Sequence, residues 1–193
     1  MRLFVLKSLR LPLPRRMGYD WNRCFYSWMN FVFNKVDYGR LEEIGPDKIA
    51  AEWVVRCGGS IRFQGYERWE KDYNLLPHGT QGRFLLTDID ASNTSITDGG
   101  LAHLEGLKHL RTLNMTDCRY VGDLGLTHVK HVQDCLNTLV LQGCTGVTEK
   151  GLFHLHYLRH LKYLNVVDTS SVGQSEAIQQ LKQSLPQCEI VHN

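Results

Sequence analysis

Long apolar runs are missing from this 193-residue sequence: nothing in it approaches the roughly 18 consecutive apolar residues of a spanning helix. A helical membrane anchor is therefore not expected, and contact with a bilayer would be peripheral. Also missing are a Gly-rich phosphate loop, a Gly-x-Ser-x-Gly elbow and a His-Glu-x-x-His helix. Each of these places a phosphate cradle, an activated serine or a zinc ion through its spacing, so their absence argues against an enzyme and against a small-molecule substrate. The six cysteines, Cys24, Cys57, Cys118, Cys135, Cys144 and Cys188, form no C-x-x-C and no paired spacing of a zinc site. They read as packing thiols. Acidic residues are absent before Asp20.

That last absence divides the chain. Residues 1–24 carry Arg2, Lys7, Arg10, Arg15, Arg16 and Arg23 against the single acid Asp20, a net +5, whereas the remaining 169 residues carry 16 basic and 19 acidic groups, a net −3. An Arg-rich, acid-poor stretch interleaved with Leu, Val and Phe reads as a mitochondrial transit peptide. Its apolar part, Leu3-Phe-Val-Leu6, is cut at once by Lys7 and is too short for a secretory signal. Without this leader the body is mildly acidic, so the electrostatic footprint of a nucleic-acid partner is lacking.

What the sequence does have is a repeated sentence. Leu110-Arg-Thr-Leu113-Asn-Met115-Thr-Asp-Cys118, Leu136-Asn-Thr-Leu139-Val-Leu141-Gln-Gly-Cys144 and Leu161-Lys-Tyr-Leu164-Asn-Val166-Val-Asp-Thr169 recur at intervals of 26 and 25 residues, inside the range of roughly 20–29 for leucine-rich repeats. A Gly-Leu pair follows in the first three units, counting a shorter one ahead of these (Gly100-Leu101, Gly125-Leu126, Gly151-Leu152), and opens a helical stretch such as Gly151 to Leu158. Leu86 to Leu101 is a shorter first unit, and Cys188-Glu-Ile190-Val is a closing strand. The pattern predicts an α/β fold: a short leucine-rich-repeat solenoid of about four cysteine-containing-type units with parallel strands, spanning residues 84–193.

Ahead of it, residues 25–83 form a different, small and mainly helical unit. All four tryptophans lie at or before Trp69. Pro46-Asp47 opens and Gly58-Gly59 stops a helix over about 46–57, and Ser60 to Gln64 alternates as a strand. A solenoid needs its first hydrophobic end covered, which makes this unit its cap.

The segments Phe33-Asn-Lys-Val-Asp-Tyr38, Ile44-Gly-Pro-Asp47, Glu52-Trp53, Arg56-Cys-Gly58 and Glu67-Arg-Trp69-x-Lys71-Asp-Tyr-Asn74-x-Leu76-Pro77 resemble the mitochondrial ATP synthase subunit s (coupling factor B) family, over about residues 25–190. The resemblance implies a peripheral accessory factor on the matrix side of the mitochondrial inner membrane, bound to the membrane sector of the proton-translocating ATP synthase and limiting proton leak. A sister family of similar architecture, the distal membrane-arm assembly components, implies the alternative of an assembly factor acting on complex I intermediates. Repeats with Val-Thr-x-x-Gly-Leu also follow F-box segments in adaptors of the ubiquitin system, but no F-box is present here.

The family resemblance further implies a Mg²⁺ ion held through Gly58 and Ser92, the latter a Thr in relatives; by period-2 alternation Asp88 and Asp90 project from the same strand face as Ser92, as candidate supporting carboxylates. It also implies a dithiol in the second repeat strand. Here that segment reads Met115-Thr116-Asp117-Cys118, leaving Cys118 alone, reactive only if exposed. From the residues themselves, the outward positions of the strands, among them Asn114, Thr116, Val140, Gln142, Tyr163 and Asn165, form a varied, largely uncharged protein-binding face. Asp98 is expected to cap the first repeat helix, and His128, His131, His154, His156 and His160 to be solvated helix-face histidines.

Overall fold

The protein is described by a computed structural model that covers residues 25, 28–77, 84–170 and 176–192. The leader read in residues 1–24 lies outside them. The fold is mixed α/β around one six-stranded sheet in the order β1-β2-β3-β4-β5-β6. The strands are β1 (Ser60–Phe63), β2 (Leu86–Asp90), β3 (Thr112–Asn114), β4 (Thr138–Val140), β5 (Tyr163–Asn165) and β6 (Glu189–Val191). β1 runs antiparallel to β2, and every later pairing is parallel.

Period-2 alternation dictates this arrangement. The central residues Ile89, Leu113, Leu139, Leu164 and Ile190 are in register across the sheet, and the first four are fully buried or nearly so. Burying each such side chain contributes about 1.5–3 kcal/mol. After each strand of β2 to β5 the chain turns through a left-handed residue, Asn93, Asp117, Gly143 or Asp168, the residue types for which that conformation is cheapest.

The return segments are tighter than the expected helices. The first is a 3₁₀ turn over Asp98–Leu104, and α3 (Asp123–Leu126) and α4 (Glu149–Phe153) pass into 3₁₀ turns over Thr127–Val132 and His154–Tyr157. Strands repeat every 4.8 Å or so while an α-helix is about 10 Å across, so narrower 3₁₀ segments reduce the mismatch. Only the last return, α5 (Glu176–Ser184), is a regular helix. These segments bury Leu101 and Leu104, Leu126 and Val129, Leu152 and Leu155, and Ile178 and Leu181 against the sheet in one continuous core.

The N-terminal segment shares that core. Helices α1 (Tyr38–Ile44) and α2 (Pro46–Arg56) precede β1; α2 starts on Pro46 and is followed by Gly58 at φ 94°, a left-handed stop that suits glycine. Glu52, 5% exposed, receives a bidentate Arg40 at 2.8 and 3.0 Å and Arg56 at 3.0 Å. Residues 28–34 are helical and end on Asn34, whose carboxamide ties three segments together. Its Oδ1 accepts from Trp53 Nε1 (3.1 Å) and the Thr97 amide (3.0 Å); its Nδ2 donates to the carbonyls of Asn30 (2.8 Å) and Ser95 (3.0 Å). Gly100 lies so close that a Cβ there would be 2.1 Å from Asn34 Oδ1. The Trp53 ring stacks on His103 at 4.8 Å and 5°.

Asn34→Ala strands the buried Trp53 Nε1 and the partly buried Thr97 amide, and at about 1–3 kcal/mol for each it is expected to lower unfolding stability by roughly 2–6 kcal/mol in a denaturant titration. Burial holds the His103 imidazole below its ordinary value of 6.5, against the pull of its bond to the Gly100 carbonyl. The unfolded chain therefore takes up a proton near pH 6.5 that the folded chain refuses. Stability from this residue is intact above that pH and falls as the pH drops below it, until the lower folded value is reached. His103→Phe keeps the stacking and is expected to flatten the stability–pH slope below 6.5, read from denaturation midpoints.

Candidate functional site

The outward positions of β2 to β5 meet in rows set by the strand register: Asp88, Thr112, Thr138 and Tyr163 in one, Asp90, Asn114, Val140 and Asn165 in the next. Beyond them come Ser92, Thr116, Gln142 and Val167, carried on turns whose amides bond to the neighbouring unit: Asn93 to the Thr116 carbonyl at 2.7 Å, Asp117 to Gln142 at 2.8 Å and Gly143 to Val167 at 3.0 Å. Asn114, Thr116, Val140, Gln142, Tyr163 and Asn165 thus share one half-buried face.

A local device recurs along the second row. Asp90 Oδ1 accepts from the amide and hydroxyl of Ser92 at 3.1 and 2.6 Å; Asn114 Oδ1 does the same for Thr116 at 3.1 and 2.7 Å; Asn165 Oδ1 accepts from the Val167 amide at 3.0 Å. Val140 has no side-chain acceptor and breaks the series, so Gln142 is released to accept from Asn165 Nδ2 at 3.4 Å. The face is polar and hydrogen-bonding at its ends, with an apolar residue at its centre.

Gly58 and Ser92 are 34 positions apart in sequence, yet the antiparallel register brings them to the same end of the β1–β2 pair. Ser60 faces Asp90, so Gly58, two residues before Ser60, and Ser92, two after Asp90, both lie just beyond that end of the pair. A backbone carbonyl, a hydroxyl and the Asp90 carboxylate are hard oxygen donors of the kind Mg²⁺ accepts while keeping most of its water. Ser92 is engaged in the same way as Thr116, so what distinguishes this end is the charge of Asp90 and the glycine opposite. Asp88 is committed elsewhere, to Arg62 Nε at 3.0 Å and Thr87 Oγ1 at 2.8 Å. Burial raises its pKa, but the bonds from Arg62, Thr112 and Thr87 outweigh this and leave it lowered. Among the described residues no three His, Cys, Asp or Glu side chains converge as a metal cluster.

Cys118 is fully buried, its thiol donating to the Ala91 carbonyl at 3.0 Å, and burial pushes its pKa up. The condition for a reactive thiol, exposure, is not met. Cys144 repeats the arrangement on the Met115 carbonyl at 3.0 Å and is pushed up to about 12 by burial. Asp98 is not the cap expected of it: Thr97 caps that turn, and Asp98 Oδ1 reaches into the next unit to accept from the Gly122 amide at 2.6 Å. Asp123 does likewise for the Thr148 amide and hydroxyl, both at 2.7 Å. Among the histidines, His154, His156 and His160 are exposed, but His128 and His131 are half-buried.

The chain is 39% identical to the mitochondrial ATP synthase subunit s of Homo sapiens over 173 residues, covering 88% of this chain and 86% of that one. The Bos taurus protein of the same name matches at the same identity and coverage. The chain belongs to the mitochondrial ATP synthase subunit s family. The Mus musculus subunit s is 38% identical over 176 residues, 89% of this chain and 88% of its own length. No family model matches the chain. The segments that carry the family resemblance lie in the N-terminal part, between Phe33 and Pro77.

Proposed function

We propose that this family member is a non-catalytic accessory subunit of the mitochondrial ATP synthase, working by protein–protein binding through the face of β2 to β5. The observation that supports this is the joint one: relatives named as subunit s match over nearly nine-tenths of the chain, and its regular parallel strands present half-buried polar groups around Val140. In this reading the sheet and its return segments are a short leucine-rich-repeat solenoid, the protein sits peripherally on the matrix side of the inner membrane, and its attachment sustains proton conduction and limits leak. Among the described residues no helix is long and apolar enough to cross a membrane. The Gly58 carbonyl, the Ser92 hydroxyl and Asp90 would hold Mg²⁺, and the ion would join the cap to the first unit by neutralising Asp90.

Affinity purification of the tagged chain from mitochondria is expected to recover ATP synthase membrane-sector subunits, and Val140→Arg with Asn114→Arg is expected to lose them without a matching loss of thermal stability. Recovery of complex I membrane-arm subunits in their place would replace this reading with that of an assembly factor. For the metal, calorimetric titration with Mg²⁺ is expected to give saturable heat at millimolar concentration, abolished by Ser92→Ala together with Asp90→Asn. Heat no greater than dilution in the unsubstituted protein would remove the site.

A further inference from the structure

His128 and His131 occupy a 3₁₀ turn, Thr127–Val132. With three residues per turn, side chains at i and i+3 eclipse, whereas an α-helix would set them about 60° apart around its axis. The two rings are accordingly near-parallel, at 20°, with centroids 6.1 Å apart. The turn beneath them is fixed: Val129 and Val132 are fully buried, and the Gln133 amide closes on the Lys130 carbonyl at 3.2 Å. The backbone that carries the pair is therefore held in position.

Two imidazoles sharing one ion through Zn–N bonds of about 2.0–2.1 Å have their ring centres roughly 5–6 Å apart. The observed separation is close to that, and turning the near-parallel rings about their side-chain torsions would bring one nitrogen of each to face a common ion. We propose that His128 and His131 form a two-imidazole site for a borderline transition-metal dication of the Zn²⁺, Ni²⁺ or Cu²⁺ class, with water completing the coordination. His131 and Lys130 act on His128 as positive neighbours ahead of the negative Asp98 and Glu105, so the site rests on the metal–nitrogen bonds and not on a field that attracts cations. Imidazole nitrogen suits these ions and not Mg²⁺, which prefers oxygen. This site is thus chemically separate from that at Gly58 and Ser92, and it lies on a return segment, not on the binding face. Bound metal would staple the third-to-fourth position of a turn that has no side-chain cap of its own.

The test is a Zn²⁺ titration of the full chain followed by NMR of the histidine ring protons, with calorimetry alongside. Saturable binding at micromolar metal that shifts the His128 and His131 rings first is the expected result. His128→Gln with His131→Gln is expected to abolish that binding, and a chain with His154, His156 and His160 all changed to Gln is expected to keep it. Circular dichroism of each variant confirms the fold, and the unsubstituted NMR titration reads the site even if a variant fails to fold. No saturable binding, or shifts that start at His154, His156 or His160, would overturn the proposal.

Discussion

A row of short parallel strands cannot satisfy its own first edge. Each strand of β3 to β6 pairs with the strand before it, but β2 has no earlier parallel strand to pair with, and an open edge there would expose unpaired amides and carbonyls beside a hydrophobic core. The antiparallel pairing of β1 with β2 removes that problem. Everything else at the N-terminal end follows from placing β1: Gly58 and Gly59 must turn the chain tightly out of α2, because a Cβ on Gly59 would be 2.8 Å from the Asp90 carbonyl; Arg62 must meet Asp88; and α2 must lie over the first return segment, where Asn34 and Trp53 seal the joint. Residues 66–76 then cover the outer side of β1, bridging Ile61 to Glu70 through two backbone bonds of 2.9 and 2.8 Å.

The strands were legible in the sequence because their signal is carried by the residues that are buried. Leu113, Leu139 and Leu164 recur at intervals of 26 and 25 residues and occupy equivalent places in the sheet. The helix over 46–57 was legible for a similar reason, with Pro, Asp and Gly marking its ends, and it ends within one residue of that expectation. The return segments were less so. Leucines three apart satisfy both α and 3₁₀ periodicity, and the choice between them is made by the spacing of strands in three dimensions.

The same limit applies to side chains that act across units. Asp98 has the position of a helix cap in its own sequence neighbourhood, and only the stacking of units shows that it serves Gly122. Asn34 gives no signal at all: one Asn in an aromatic stretch becomes the meeting point of four hydrogen bonds because of what folds around it. The left-handed turn column had a readable sign that was easy to pass over, an Asn, Asp or Gly at the same place in every unit, Asn93, Asp117, Gly143 and Asp168. For the candidate site, the alternation of strand residues was enough to gather the outward face, while the approach of Gly58 to Ser92 rests on the β1–β2 register.

The aspartates that reach forward give the stack a direction. Asp98 supplies the acceptor for the opening amide of the second return segment, and Asp123 for that of the third. Each unit therefore finishes part of its successor, and the thiols of Cys118 and Cys144 look backward to carbonyls already in place. A chain that folds from its N-terminal end meets these acceptors in the order in which it needs them. Assembly can proceed like a zip closed from one end, with the aromatic cap as its stop.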